Sequence, residues 1–140
     1  MSKKKKRVLF LCTHNSARSQ MAEGILRAAH GEEYEVSSAG TEPSRVNPYA
    51  IRTMGEIGID ISDHSSKNVE QFLQDNFDYV ATVCDDAKEA CPTFPGAAKY
   101  MHKGFSDPSK FRGKPEEILI GFRKVRDDIR DWVETEFDGN

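Results

Sequence analysis

The chain has 140 residues, enough for one domain with a real core, and neither an internal repeat nor a linker divides it. Lys and Arg number 20 against 23 Asp and Glu, a net charge of -3, which excludes a global positive field for nucleic acid, so any anion must be caught locally. The basic run 3–7 precedes an apolar stretch, residues 8–11, far too short for a signal-peptide core or a membrane span. Residues 1–6 therefore read as a solvated basic tail and 7–140 as a single domain of a cytoplasmic protein, with no nucleic-acid or membrane partner and a monomer as the expected state.

In chain order, residues 7–12 predict a fully buried strand, and Met21, Ile25, Ala28 and Ala29 predict a helix from Ser19 to about His30. Residues 36–39 predict a short strand ending at Gly40. Asn47 and Pro48 then supply an N-cap and a first-turn proline for a helix with Ile51, Met54 and Ile57 inward, stopped by Gly58. Val69, Phe72, Leu73 and Phe77 mark a third helix. Residues 79–84 predict another buried strand and 99–102 a weaker one. A long helix follows over 115–137, with Ile118, Phe122, Val125, Ile129, Trp132 and Val133 on one stripe. Strands alternating with helices imply an α/β fold, a parallel sheet with helices on both faces, and ligands beyond the carboxyl ends of the strands. Cys12 and Cys84 both fall at such ends.

Between the first strand and its helix lies a C-x5-R loop: Cys12, Thr13, His14, Asn15, Ser16, Ala17 and Arg18, followed by Ser19. Consecutive backbone amides and the positive end of the helix dipole make such a loop a cradle for a tetrahedral oxyanion. Arg18 adds a bidentate fork. Helix N-termini and nearby cations favour thiolates in general, which makes Cys12 the candidate nucleophile. The competing reading is a small buried Cys12 and a solvated Arg18; Asn15, Ser16 and Ser19 weigh against it, because each can hold loop carbonyls and amides in place. Glycine-rich nucleotide loops are absent from the sequence. Three cysteines, Cys12, Cys84 and Cys91, argue against a static disulfide framework and leave reactive thiols or a metal site.

The stretch CTHNSARSQMAEG resembles the low-molecular-weight phosphotyrosine phosphatase-like fold family, and GFSDPS at 104–109 looks like its general-acid loop. More closely, the sequence is similar to the thioredoxin-coupled arsenate reductases on that fold: Gln20 follows Arg18 and Ser19, VCDDAKEACP carries Cys84 and Cys91, and the tail reads FRKVRDDIRDWV. The resemblance implies a four-stranded parallel sheet flanked by helices on both faces. It implies that Cys12 attacks arsenate, Asp107 protonates the departing hydroxyl, and Cys84 then Cys91 carry a disulfide away for thioredoxin to reduce, with no tightly bound cofactor. Reduction of As(V) to As(III) takes two electrons, which a pair of thiols closing to a disulfide supplies; hydrolysis needs none. Asp85, Asp86, Lys88 and Glu89 make the segment between the thiols polar and able to rearrange, and Pro92 and Pro95 limit any helix beyond Cys91.

Some members of this kind steady the loop with potassium. Asn15, Glu23 and Ser38 match the residue types used there, with Ser19 also supporting the loop, whereas Lys67 stands where those members carry Asp. A Lys67 ammonium beside Glu23 would take the cation's place, so no bound metal is expected. His14 and Ala17 also depart from the commoner Gly and Cys. Phosphate or sulfate should compete with arsenate. The alternatives are a low-molecular-weight protein tyrosine phosphatase, disfavoured by Gln20 and by Ser109, Lys110 and Phe111 in place of tyrosines, and a metal- or arsenite-binding protein using the cysteines with His14, His64 or His102. The C-x6-C spacing does not suit an ordinary structural zinc site. His64, His102 and Trp132 otherwise read as surface or core residues.

Overall fold

The computed structural model describes residues 4–85 and 94–137. Its elements, in chain order, are β1 (Lys6–Cys12), α1 (Arg18–His30), β2 (Tyr34–Gly40), α2 (Pro48–Gly55), β3 (Phe77–Thr82), β4 (Ala97–His102) and α3 (Pro115–Glu136). The four strands form one sheet in the order β2-β1-β3-β4, every pair parallel, so the expected α/β sheet is present. The chain leaves β1 for β2 on one side and continues to β3 on the other. The connections after β1 and β3 thus part company at the carboxyl edge, which opens a crevice there.

Alternation along β1 decides what each face buries. Val8, Phe10 and Cys12 join one core cluster with residues of α1, α2 and α3, while Leu9 and Leu11 join a second with Val69, Phe77, Val80 and Phe94. Three α-helices therefore share one face. On the other, among the described residues, the 3-10 turn Val69–Phe72 packs Val69 and Phe72, and it stands where a third helix was expected. Asn68 caps that turn through the Glu70 amide; Leu73 is exposed and Phe77 already opens β3.

Other boundaries shift as well. β1 starts at Lys6 and β2 at Tyr34, earlier than the apolar runs suggest, because the two strands pair from Lys6 with Tyr34 onward. The strand expected through Cys84 ends at Thr82, although the Val83 amide still donates to the Leu11 carbonyl at 3.0 Å. In α2, Asn47 accepts from the Tyr49 amide as expected, but the helix closes at Gly55, leaving Ile57 outside it and Gly58 in the left-handed region at φ 79°. Residues 86–93, with Asp86, Lys88, Glu89, Cys91 and Pro92, lie outside the described residues. Among the described residues no helix is long and apolar enough to cross a membrane.

Helix α3 is held to the end of α2 by a carboxylate with two arginines. Glu56 accepts two hydrogen bonds from Arg123 Nε, at 2.9 and 3.1 Å, one from Arg123 Nη2 at 2.7 Å and one from Arg126 Nη1 at 2.9 Å. The Arg123 hydrogen bonds lead, opposed by burial and supported by Arg126, and hold the Glu56 carboxyl at about 2, below its usual 4.5. A depressed carboxyl stabilises the fold above its unfolded value, and that stability is lost as pH falls through the folded value. Glu56→Gln should lower the thermal midpoint at pH 7 by a few degrees, the pair being partly solvated. The gap to the unsubstituted protein should close as the pH of the melt is taken down from about 4.5 towards 2.

Candidate active site

Cys12 is the last residue of β1 and Arg18 the first of α1, and both are buried. The loop between them turns its carbonyls outward: Thr13 accepts from the Glu42 amide at 2.8 Å, His14 from the Ser44 amide at 3.3 Å and Ser66 Oγ at 2.9 Å, and Ser16 from the Asn47 amide at 2.9 Å. A trans peptide sends its N–H opposite to its C=O, so the amides of His14, Asn15 and Ala17 turn to the other side of the loop. Helix α1 adds its dipole, with no side-chain cap and no acidic residue in its first turn. The loop thus turns three backbone amides away from its bonded carbonyls, beside a helix N-terminus.

Asn15 holds this shape at φ 49°, the left-handed region that asparagine tolerates better than most residues. Its buried amide uses every hydrogen-bonding position. Nδ2 donates to Ser19 Oγ at 2.8 Å and Ser38 Oγ at 2.9 Å, and Oδ1 accepts from the Lys67 amide at 2.9 Å and Gln20 Nε2 at 3.0 Å. Ser19 Oγ in turn lies 2.9 Å from Cys12 Sγ. Either group can donate in that contact, which ties the sulfur to the Asn15 network.

Behind Ser38 sits Glu23, which accepts from Ser38 Oγ at 2.5 Å and Arg27 Nη2 at 2.6 Å. Lys67 Nζ stands 3.9 Å from the same carboxylate, so the ammonium is where the sequence reading expected it. Burial pushes the Lys67 ammonium down from its ordinary value, and Glu23 pulls it back up. Sequence reasoning used Gln20 only as a mark of family resemblance and read His64 as a surface or core residue or an alternative ligand, yet the two belong to this network. Gln20 Nε2 also donates to the Asn15 and Ser65 carbonyls, and its Oε1 lies 3.0 Å from His64 Nδ1. Arg27 donates to His64 Nε2 at 3.1 Å, which assigns the proton to Nδ1, and burial lowers the His64 pKa in keeping with a neutral ring. A fully polar side chain on the buried face of α1 was the one sequence signal for Gln20.

Asp107 comes from the segment after β4. Its Oδ2 lies 3.5 Å from Arg18 Nη2, and Arg18 Nη1 donates to the Phe105 carbonyl at 3.3 Å. The other carboxylate oxygen, Oδ1, accepts from Ser109 through its amide at 3.0 Å and its hydroxyl at 2.7 Å. A cavity of about 390 Å³ opens beside these groups, walled by Thr13, His14, Asp85, Ser106, Asp107, Lys110 and Phe111. Cys84 Sγ is fully buried 4.0 Å from the carbonyl of Leu11, the β1 residue before Cys12, so a second thiol lies against the end of that strand. Among the described residues neither Cys12 nor Cys84 forms a disulfide. Among the described residues no group of three or more His, Cys, Asp or Glu could hold a metal ion. His14 instead meets the Glu42 carbonyl at 3.0 Å and His102 meets Thr82 Oγ1 at 2.6 Å.

A family model described as low molecular weight phosphotyrosine protein phosphatase matches residues 7–136. The chain is 48% identical over 125 residues to an arsenate reductase of Shouchella clausii, covering 89% of this chain and 90% of that protein. Its fold is similar, at a TM-score of 0.78 and 36% identity, to a structure of an arsenate reductase in the phosphate binding state, over 93% of this chain and 95% of that one. A thioredoxin-dependent arsenate reductase of Corynebacterium glutamicum is similar at a TM-score of 0.67 and 29% identity, over 96% of this chain and 63% of that one.

The cradle also depends on a close approach from β2. A Cβ added at Gly40 would lie 2.5 Å from the Thr13 carbonyl oxygen and 2.9 Å from both the Cys12 carbonyl oxygen and the Asn15 nitrogen. These are backbone atoms, so the loop itself must move. Gly40→Ala should weaken inorganic phosphate binding at least about tenfold by calorimetry, the loss of roughly one charge-assisted hydrogen bond. The control is Gly55→Ala, whose Cβ meets nothing within 4 Å; it should leave binding unchanged.

Proposed function

The chain belongs to the low molecular weight phosphotyrosine protein phosphatase family, and within it we propose that this protein reduces arsenate to arsenite through a three-cysteine relay regenerated by thioredoxin. The observation that carries this reading is the second buried thiol, Cys84, against the end of β1 at the residue before Cys12. Phosphate ester hydrolysis uses one thiolate and a proton donor. A reductase needs a second sulfur within reach, and the arsenate reductases similar to this chain support that assignment.

In the proposed sequence, arsenate sits on the loop amides and the Arg18 fork. Cys12 sulfur attacks arsenic, an As–O bond breaks, and Asp107 protonates the departing hydroxide to water. Cys84 then attacks the Cys12 sulfur. The As–S bond breaks with its electron pair going to arsenic, so arsenic leaves as arsenite, and Cys12 and Cys84 are left as a disulfide. Attack by Cys91 on Cys84 returns Cys12 to the thiolate and passes the bridge to Cys84 and Cys91. Thioredoxin, a dithiol, supplies the two electrons that reopen it, as in the thioredoxin-dependent relative. Cys84 is fully buried, so the hand-over requires it to move out of its present packing. The setting is the cytoplasm, and the working unit is a monomer.

Reduced protein incubated with arsenate and no reductant, then mapped by mass spectrometry, tests the relay. The wild type should carry a Cys84 to Cys91 bridge and Cys91→Ser a trapped Cys12 to Cys84 bridge, each with one arsenite released. Thiols that all stay reduced while an aryl phosphate is hydrolysed would instead make the protein a phosphatase. A second expectation concerns Lys67, whose ammonium supplies the positive charge beside Glu23 without a bound ion. Turnover should be equal in potassium and sodium chloride at matched ionic strength, and selective stimulation by potassium would overturn that role.

A further inference from the structure

Asp107 and Phe111 stand at the two ends of one short 3-10 turn, Pro108–Lys110. The Lys110 amide donates to the Asp107 carbonyl at 3.2 Å and the Phe111 amide to the Pro108 carbonyl at 3.1 Å, so the turn moves as a unit. Its ring end rests on α3. A Cβ added at Gly121 would lie 2.4 and 2.5 Å from Cδ2 and Cε2 of Phe111, so the ring occupies space that any other residue at that position would fill. The ring centroid is 6.4 Å from that of Phe122 in an edge-to-face arrangement. A glycine inside a helix costs about 1 kcal/mol relative to alanine. In α3, a helix of 22 residues, the notch offsets that cost by taking the aromatic ring.

We propose that Phe111, seated in the notch at Gly121, is a positioning residue for Asp107. The inference rests on Asp107 as the proton donor of the proposed reaction. Oδ1 of Asp107 is occupied by Ser109, which leaves Oδ2, the oxygen facing Arg18, to carry the proton to the leaving group. Sliding the turn along α3 would carry Oδ2 with it. Proton transfer within hydrogen-bond reach tolerates little displacement, and errors near 1 Å can cost on the order of a hundredfold in rate. Anion binding rests on other groups, the amides of the 12–18 loop and Arg18; the turn reaches Arg18 through Asp107 Oδ2 at 3.5 Å and shares a cavity wall with Thr13 and His14. The turn thus acts first on the proton donor, and phosphate affinity is the readout that separates this from an effect on the cradle.

The test is a double-mutant cycle of Gly121→Ala with Asp107→Asn, read as single-turnover arsenite release and as inhibition by inorganic phosphate. Gly121→Ala should slow release about tenfold or more while the phosphate inhibition constant stays within about twofold. In the Asp107→Asn background the same substitution should cost nothing further, because no donor remains to be misplaced. Phe111→Leu, which keeps an apolar side chain but not the ring, provides the same cycle if Gly121→Ala folds poorly, as judged by its melting transition. Additive losses, or a parallel fall in phosphate affinity, would mean that the notch merely supports the fold. Should the wild type fail to reduce arsenate, the cycle is read on phenyl phosphate, whose poor leaving group also needs a proton. Failure on arsenate then counts against the proposed function, and the outcome of the phenyl phosphate cycle decides the positioning role separately.

Discussion

Asn15 carries the constraint on which the site depends. Its left-handed backbone reverses the chain just after β1, and four hydrogen bonds to its amide group, from α1, β2 and the 65–67 segment, keep that reversal in place. An unmade bond to a buried amide would cost about 1–3 kcal/mol, so the four together make one loop conformation far cheaper than its competitors. The orientation of every amide in the cradle follows. So does the direction of Ser19, and with it the hydrogen bond available to Cys12 sulfur. Glu23, Lys67, Arg27, His64 and Gln20 form the layer behind, where a buried carboxylate is offset by surrounding donors. A polar network of this kind stabilises only when each member is satisfied, and among the described residues no buried side-chain nitrogen or oxygen lacks a partner.

The parallel sheet explains why two thiols far apart in the chain meet. β1 and β3 are neighbours in register, Leu11 opposite Thr82, so residues just past their carboxyl ends share one rim. Cys12 arrives there as the end of a strand and Cys84 as part of the loop that continues after one. The same rim receives Asp107 from the segment after β4. Cys12, Cys84 and Asp107 therefore come to one rim from three different strands' ends.

Much of this was legible in the sequence, for identifiable reasons. A continuous apolar run before C-x5-R leaves little choice but a buried strand, and Asn47-Pro48 is a strong helix start, so the end of β1 and the start of α2 stand where expected. Val69 and Phe72 misled because a three-residue spacing fits one 3-10 turn as well as the first turn of an α-helix. Gln20 and His64 were out of reach for another reason: their contact spans 44 residues, and no local pattern encodes it. Gly121, taken alone, is only a weak helix former. Only the ring of Phe111 against it reveals that the missing side chain is the feature.

Trp132 joins the acid-bearing segment to the core. Its ring meets Phe105 at 5.8 Å and Phe10 at 6.2 Å, and the Phe105 carbonyl is the one that receives Arg18. It is also the sole tryptophan of the chain. The intrinsic fluorescence of this protein accordingly has one indole emitter, placed one ring away from the backbone carbonyl that accepts from Arg18. When Phe105 shifts with Arg18, the contact quenching and polarity around that indole shift too, and the molecule reports optically on its own loop without a label.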